Sequence, residues 1–349
     1  MSKPVFNIAL TGLNAIDSPG SGSGVIRSLR EPKDFDVRII GLAYENLEPC
    51  IYMPHLVDKT YRIPYPSEGQ EALLERLRYI HAQENLHIIF PNFDSELYNF
   101  IKLEKKLADE MQIKMLLPTL EQFESRHKAV LYEFGEKAGI KVPKAKPVFS
   151  AMEIAKIAYD FRFPLVVKGK YYEAAVTYTI EQAQQHFHKI SAKWGLPILL
   201  QEFVHGTELN VCGIGDGKGN LLGAVSMRKL YITDKGKAWA GITIDDDELT
   251  DLTQKFVEKS HWKGGFELEI IRNGNGEYYL LEINPRFPAW SYLTTGAGQN
   301  QAALLVNMAM GLPYEPFTSY EVGKMFIRFS EDMVVDLQDF EKISTFGEK

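Results

Sequence analysis

Gly264-Gly-Phe-Glu267-Leu-Glu269-Ile-Ile271, the turn Arg272-Asn-Gly-Asn-Gly276 and Tyr278-Tyr-Leu-Leu-Glu282-Ile-Asn284-Pro-Arg286 read as two strands joined by a tight hairpin. Side chains alternate along a strand, so Glu267 and Glu269 share one face, and Glu282 and Asn284 share one face of the return strand. A fold at Asn273 to Asn275 sets Glu269 nearly opposite Glu282. Two carboxylates about 4 Å apart repel by about 4 kcal/mol at an effective dielectric near 20, so such a pair needs a proton, a cationic side chain or a metal. Mg2+ suits it: a hard ion that takes one or two carboxylates, a neutral oxygen such as that of Asn284, and substrate phosphates. Arg286, in reach of the same place, suits a planar anion. The plainer alternative is an exposed hairpin with scattered charges. Leu280-Leu281 and Ile283 speak against it, because they imply a strand buried on at least one face, where unpaired carboxylates are costly.

Upstream of the hairpin the texture is antiparallel: Glu208 to Gly215, the turn Asp216-Gly-Lys-Gly-Asn220, then Leu221 to Leu230. Before that lie Pro164-Leu-Val-Val-Lys-Gly-Lys170, a helix from Ile180 to Trp194, and Pro197-Ile-Leu-Leu-Gln-Glu-Phe203. A helix opens at Thr119 with Gln122 as a capping box, and another runs from about Lys128 to Ala138 and stops at Gly139. This part reads as α+β. The first 118 residues alternate differently: strands at Val5 to Leu10, Asp36 to Leu42 and Leu86 to Pro91, helices at Glu71 to Gln83 and Tyr98 to Met111. That order predicts a doubly wound, Rossmann-like open sheet.

The chain has 349 residues, enough for two or three domains, and 46 acids against 39 bases, for a net charge of −7. Its Lys and Arg residues form no basic block, which argues against duplex nucleic acid. No apolar run reaches the roughly 18 residues of a membrane span, and the N-terminus does not read as a signal peptide. Cys50 and Cys212 are too few for a disulfide framework or a four-cysteine zinc site. A cytoplasmic setting is expected.

Other motifs carry less. The glycine-rich turn Asp17-Ser-Pro-Gly-Ser-Gly-Ser-Gly24 follows a strand and opens a helix, so it is either an anion-binding turn or an ordinary crossover. Ser125-Arg-His-Lys128 matches S-x-x-K without the partner motifs of that nucleophile class, which leaves Lys128 as a phosphate ligand or a solvated charge.

Taken together, residues 1 to about 310 resemble the ATP-grasp superfamily. Glu282-Ile-Asn-Pro-Arg286 is similar to the corresponding segment of carbamoyl phosphate synthetase and biotin carboxylase, and the interval between Glu269 and Glu282 is similar to that in D-alanine:D-alanine ligases. The resemblance implies an N-terminal Rossmann-like open sheet followed by a two-subdomain ATP-grasp fold. It divides the chain into 1–118, a small subdomain 119–198 and a large subdomain 199–320 with the metal site; residues 321–349, outside the resemblance, read as a C-terminal strand and tail. It implies ATP and Mg2+, with Mn2+ as a substitute. Glu269, Glu282 and Asn284 would hold the metal, and Lys128 and Lys168 the phosphates; Lys170, in the run that departs from the family, is expected to serve the phosphates in place of backbone N–H groups. The backbone of Glu202 and Val204 would read adenine, Glu208 the ribose, and Arg228 and Arg286 the developing charge. Where the family usually carries a glycine-rich flap, this chain has Gly169-Lys-Tyr-Tyr-Glu-Ala-Ala-Val176.

The activity implied is ligation: a substrate carboxylate attacks the γ-phosphate, and an amine or similar nucleophile then displaces phosphate from the acyl phosphate. Such chemistry asks for positioning and charge stabilisation and needs no side-chain nucleophile. The partners expected are a small-molecule or peptide carboxylate and an amine, with no nucleic acid and no membrane; a homodimer is allowed. Two other readings stay open: a nucleotide-binding regulatory protein without ligation, and a kinase that stops at a phosphorylated product.

Overall fold

The computed structural model describes residues 3–32, 34–127, 130–169, 173–234 and 236–349. They form two compact units, one of residues 1–121, 210–267 and 284–349, the other of 122–209 and 268–283.

The first unit begins with β1 (Val5–Leu10), α1 (Ser21–Leu29), β2 (Asp36–Ala43), β3 (Lys59–Arg62), α2 (Gln70–Glu84), β4 (Ile88–Phe90) and α3 (Asp94–Met111). The sheet order is β3-β2-β1-β4, with every pairing parallel and Ile8 aligned with both Ile39 and Ile88. Ile8, Ala9 and Leu10 are all fully buried, which is why β1 reads as an unbroken apolar run. Because β1 lies between β2 and β4, strand order reverses beside it, and the crevice at the carboxyl ends of β1 and β4 is the place where such sheets take ligands. β3 has no apolar run and was not expected from the sequence. It is held by β2 on one side and by the chain terminus on the other: Thr60 and Lys349 exchange backbone hydrogen bonds of 2.8 and 2.9 Å, and Arg62 N donates to Gly347 O at 2.8 Å. Those contacts cover an otherwise open sheet edge.

After α4 (Leu120–Ser125), the second unit contains α5 (Leu131–Ala138), β5 (Ala145–Val148), α6 (Glu153–Phe161), β6 (Leu165–Lys168), β7 (Ala174–Thr177), α7 (Ile180–Trp194) and β8 (Ile198–Glu202). The sheet order is β5-β8-β6-β7, antiparallel throughout. Ile154, Ile157, Phe187 and Ile190 of the two longer helices pack on Leu165, Val167, Ile198 and Leu200. α7 spans the residues expected for it, with Thr179 capping its start by accepting from Gln182 N and Gly195 at positive φ ending it.

The chain continues through β9 (Gly206–Asp216), β10 (Leu221–Ile232), β11 (Ala238–Thr243), α8 (Asp247–Ser260), β12 (Lys263–Asn273), β13 (Tyr278–Asn284), α9 (Tyr292–Gly296), α10 (Gln301–Met310), β14 (Met325–Ile327) and α11 (Leu337–Phe346). The strands from β9 onward form one six-stranded sheet, β13-β12-β9-β10-β11-β14. The segment expected as a tail holds α11, whose Ile343 is fully buried, and then the residues that pair with β3. The core of the first unit joins Ile8, Leu10 and Val25 to Cys212, Met227, Phe287, Trp290 and the buried run Ala302–Val306 of α10. Cys50 and Cys212 are both buried free thiols.

Candidate active site

Glu267, on β12, is 6% exposed. Its Oε1 accepts from Asn210 Nδ2 of β9 at 2.9 Å and from Trp290 Nε1 at 2.7 Å, and its Oε2 accepts from Asn284 Nδ2 at 3.0 Å. Arg286 Nη1 lies 3.9 Å from the same Oε2. A buried carboxylate is tolerated only when its oxygens are satisfied, and here three neutral donors and one cation do this. The bond also orients Asn284. Only its NH2 can face a carboxylate, so its amide oxygen is directed away from Glu267. A neutral hard oxygen in a fixed direction is the donor that Mg2+ takes from an asparagine.

Arg286 is shared between two carboxylates. Its Nε and Nη2 each lie 3.0 Å from Asp94 Oδ2, while Nη1 also donates to Phe287 O at 3.2 Å. Asp94 is the first residue of α3, where the helix dipole favours a negative charge. Phe90, Asn92, Leu117, Gly265, Arg286 and Phe287 line a cavity of about 30 Å3 at the carboxyl end of β4, room for one water molecule.

The same edge of the parallel sheet holds a second buried carboxylate, Glu96, which is 1% exposed. It accepts from the hydroxyls of Thr11 and Tyr44 and from the backbone N–H of Asn92 (2.7 Å) and Phe93 (3.0 Å). Burial pushes its carboxyl up to about 7, against the opposing effect of those hydrogen bonds. Nearby Glu48 is also raised by burial, and the Tyr44 phenol is raised by burial and by Glu96. The glycine-rich turn packs tightly against this edge. A Cβ on Gly20 would stand 2.4 Å from Gly12 O, and one on Gly22 would stand 2.1 Å from Thr11 O. Those two glycines are required by close backbone approach, whatever else the turn does.

The residues expected from the sequence fall as follows. Asn284 and Arg286 are brought together around Glu267 in the first unit. Arg228, on β10 of that unit, is exposed and paired with Ile242 of β11. Glu269 and Glu282 lie on β12 and β13 and belong to the second unit. There Lys168 ends β6, in register with Leu199 and Ala174. Glu202 ends β8, its N–H donating to Lys144 O at 2.9 Å. Val204 is half-buried between β8 and β9, and Glu208 is exposed on β9. Gly169 N donates to Glu173 O at 3.0 Å at the base of the β6–β7 connection. Lys128 and Lys170 lie outside the described residues. Ser125 Oγ donates to Gln122 O of its own helix, which gives that serine a local structural role. Among the described residues there is no group of three or more His, Cys, Asp or Glu side chains placed to hold a metal, and no helix long and apolar enough to cross a membrane.

Sequence reasoning did not single out Asp94, Glu96, Asn210 or Trp290, and it placed Glu267 on the right strand face without giving it a role. Alternation with Glu269 was the only local signal available for Glu267. Asp94, Glu96 and Asn210 come from segments far away in the chain, and Trp290 from the irregular segment just after β13.

Residues 196–325 match the family described as ATP-grasp in the biosynthetic pathway with Ter operon. The carbamoyl phosphate synthase large chain of Clostridium beijerinckii is 27% identical over 210 residues, which cover 55% of this chain and 18% of that protein. The N-terminal section of the large chain from Methanopyrus kandleri is 22% identical over 334 residues, 88% of this chain and 56% of that one. The chain thus spans less than two thirds of either curated relative. Biotin carboxylase of Campylobacter jejuni, solved as a beta-gamma-ATP complex, superposes with a TM-score of 0.70 at 14% identity, covering 91% of this chain and 74% of that one. The chain has the ATP-grasp fold. The biotin carboxylase domain dimer of the Hydrogenobacter thermophilus 2-oxoglutarate carboxylase, solved with MgADP and bicarbonate, gives 0.68 at 16% identity, with 90% and 73% covered. L-amino acid ligase of Bacillus licheniformis gives 0.63 at 16%, with 88% and 75% covered. With this fold the parallel sheet comes first and the two further sheets follow, as the sequence led one to expect.

Proposed function

We propose that the chain is an ATP- and Mg2+-dependent ligase that activates a carboxylate as its acyl phosphate and passes the acyl group to an amine or similar nucleophile, releasing ADP and phosphate. The observation that carries this is the orientation of Asn284: its nitrogen bound to Glu267, its oxygen directed away, beside an arginine already engaged with carboxylates. The fold likeness to a ligase and to carboxylase domains solved with nucleotide supports the reading. In this proposal Asn284, Glu269 and Glu282 hold Mg2+, which when bound offsets the charge of the phosphates. Lys128, Lys168 and Lys170 bind phosphate oxygens, Glu202 and Val204 the adenine, and Glu208 the ribose. Arg228 and Arg286 orient the transferring group by charge and hydrogen bonding, which is where catalysis of this kind resides. The domain division at 118, 198 and 320, a cytoplasmic setting and a homodimer belong to the same proposal.

The test is ADP formation from Mg-ATP with pools of carboxylates and amines, read beside mass spectrometry for a new product. Glu282→Ala is expected to abolish ADP formation; retained turnover would sink the metal assignment. The sequence Gly169-Lys-Tyr-Tyr-Glu-Ala-Ala-Val176, poor in glycine, favours a second reading in which nucleotide is bound without ligation. That reading predicts ADP release no faster than background with every pool. A kinase would turn over without the amine.

A further inference from the structure

Glu267 has no assigned part in holding metal, nucleotide or substrate, yet it is buried and both of its oxygens accept side-chain hydrogen bonds. Asn210 of β9, Asn284 at the end of β13, and Arg286 and Trp290 just after it all face its carboxylate. A carboxylate accepts only, so every group facing it must turn a donor inward. For Trp290 and Arg286 that is no constraint, since neither has an acceptor. For Asn284 it decides which end of the amide faces outward. From this geometry we infer that Glu267 is a positioning residue: it holds Asn284 with the amide nitrogen inward and the amide oxygen presented to the cation. The inference rests on the Mg-nucleotide reading of the site.

The chemistry supplies a strict test. Glu267→Gln keeps volume and packing but places an NH2 where Oε2 accepts from Asn284. Two amide nitrogens cannot satisfy one another, so Asn284 turns over, its oxygen to the substituted side chain and its nitrogen to the cation. Asn284→Asp alone sets two carboxylates against each other. The double variant E267Q/N284D restores a donor–acceptor pair with the charge moved across it and leaves an oxygen facing outward.

Mn2+ binding in the presence of ADP, followed by electron paramagnetic resonance of free Mn2+, is the readout, with thermal unfolding of each protein measured in parallel. E267Q and N284D are each expected to weaken Mn2+ binding about tenfold or more, and the double variant to recover most of that loss. Metal-free ADP binding by E267Q should stay within about twofold of wild type. Wild-type affinity in E267Q, or a double variant no better than the worse single one, overturns the role of Glu267 and leaves the nucleotide reading standing. A wild-type protein that binds no Mn2+ with ADP overturns the nucleotide reading, and this role with it. If E267Q unfolds, Trp290→Phe, which removes one donor from Oε1 and leaves Asn284 in place, serves as the comparison. It should lower the unfolding temperature yet hold Mn2+ normally, and weakening of Mn2+ by W290F equal to that by N284D would overturn the specific role of the Glu267–Asn284 bond.

Discussion

Arg286 Nε donates to Asp94 Oδ2 at 3.0 Å, and Arg286 Nη1 stands 3.9 Å from Glu267 Oε2, so one guanidinium lies between a carboxylate at the start of α3 and a carboxylate on β12. Removing the cation leaves both acids facing an uncharged space. Arg286→Ala is therefore expected to destabilise the protein by about 2–3 kcal/mol, as for a partly buried ion pair deprived of one member. Asp94→Asn, which keeps a hydrogen-bond acceptor, should cost about 1 kcal/mol. Urea unfolding midpoints distinguish the two, and equal costs would show that Arg286 answers the charge of Asp94 alone.

Gly22 is held by backbone, not by conformation. A methyl group there meets Thr11 O at 2.1 Å, and neither atom sits at the end of a flexible side chain. Gly22→Ala should cost about 3 kcal/mol. Gly274→Ala, in the hairpin turn with open space around it, should cost less than about 1 kcal/mol. Thermal unfolding of the two variants side by side checks the contrast.

Glu96 gives the stability a pH dependence of unusual sign for a carboxylate. Its proton is held in the folded state up to about 7, whereas the unfolded chain loses it near the ordinary value of 4.5. Between those values the folded state binds more protons, so this group's contribution falls as pH rises through that window and stays low above it. The total is about 3 kcal/mol. Glu96→Gln lacks the titration and keeps the hydrogen-bonding shape. The unfolding temperature of the variant minus that of wild type should rise steadily from pH 5 to pH 7 and level off above it; a flat difference would show that the hydrogen bonds keep Glu96 ionised throughout.

The last three residues pair with β3 through an isolated antiparallel bridge at Glu348. Deleting Gly347 to Lys349 removes the paired bonds between Thr60 and Lys349, the bond from Arg62 N to Gly347 O, and that from Arg76 Nη2 to the same oxygen at 2.8 Å. The expected loss is about 2–4 kcal/mol, with the edge of β3 exposed. Lys349→Ala keeps the backbone bonds and loses only the ion pair with Asp339 and the contact with the Tyr52 ring. It should cost about 1 kcal/mol or less. Differential scanning calorimetry of both proteins reads the difference.

Much of the fold was legible because its signals are local. Thr179 before an amphipathic run and Gly195 after it set the limits of α7, the apolar run at Ile8 to Leu10 marked the central parallel strand, and Asn273-Gly-Asn-Gly276 marked the hairpin. The order of strands in the first sheet and the short strand β3 were not legible, since Lys59-Thr-Tyr-Arg62 gains its strand conformation from neighbours that include the far end of the chain.

By itself the sequence determined which faces the acids of the hairpin occupy and the places of elements with strong local signals, such as β1, α7 and the β12–β13 hairpin, because alternation and capping depend on residues a few positions apart. Which of those acids is buried, and what it touches, was decided only in three dimensions. Glu267 and Glu269 are equivalent under alternation, but β9 brings Asn210 across from Glu267, and the segment after β13 brings Trp290 back onto it. Arg286 likewise meets Asp94 only because α3 begins at the carboxyl end of β4, 192 residues earlier in the chain. Periodicity reports on one strand at a time, whereas a hydrogen bond between side chains depends on the order in which strands and helices are assembled.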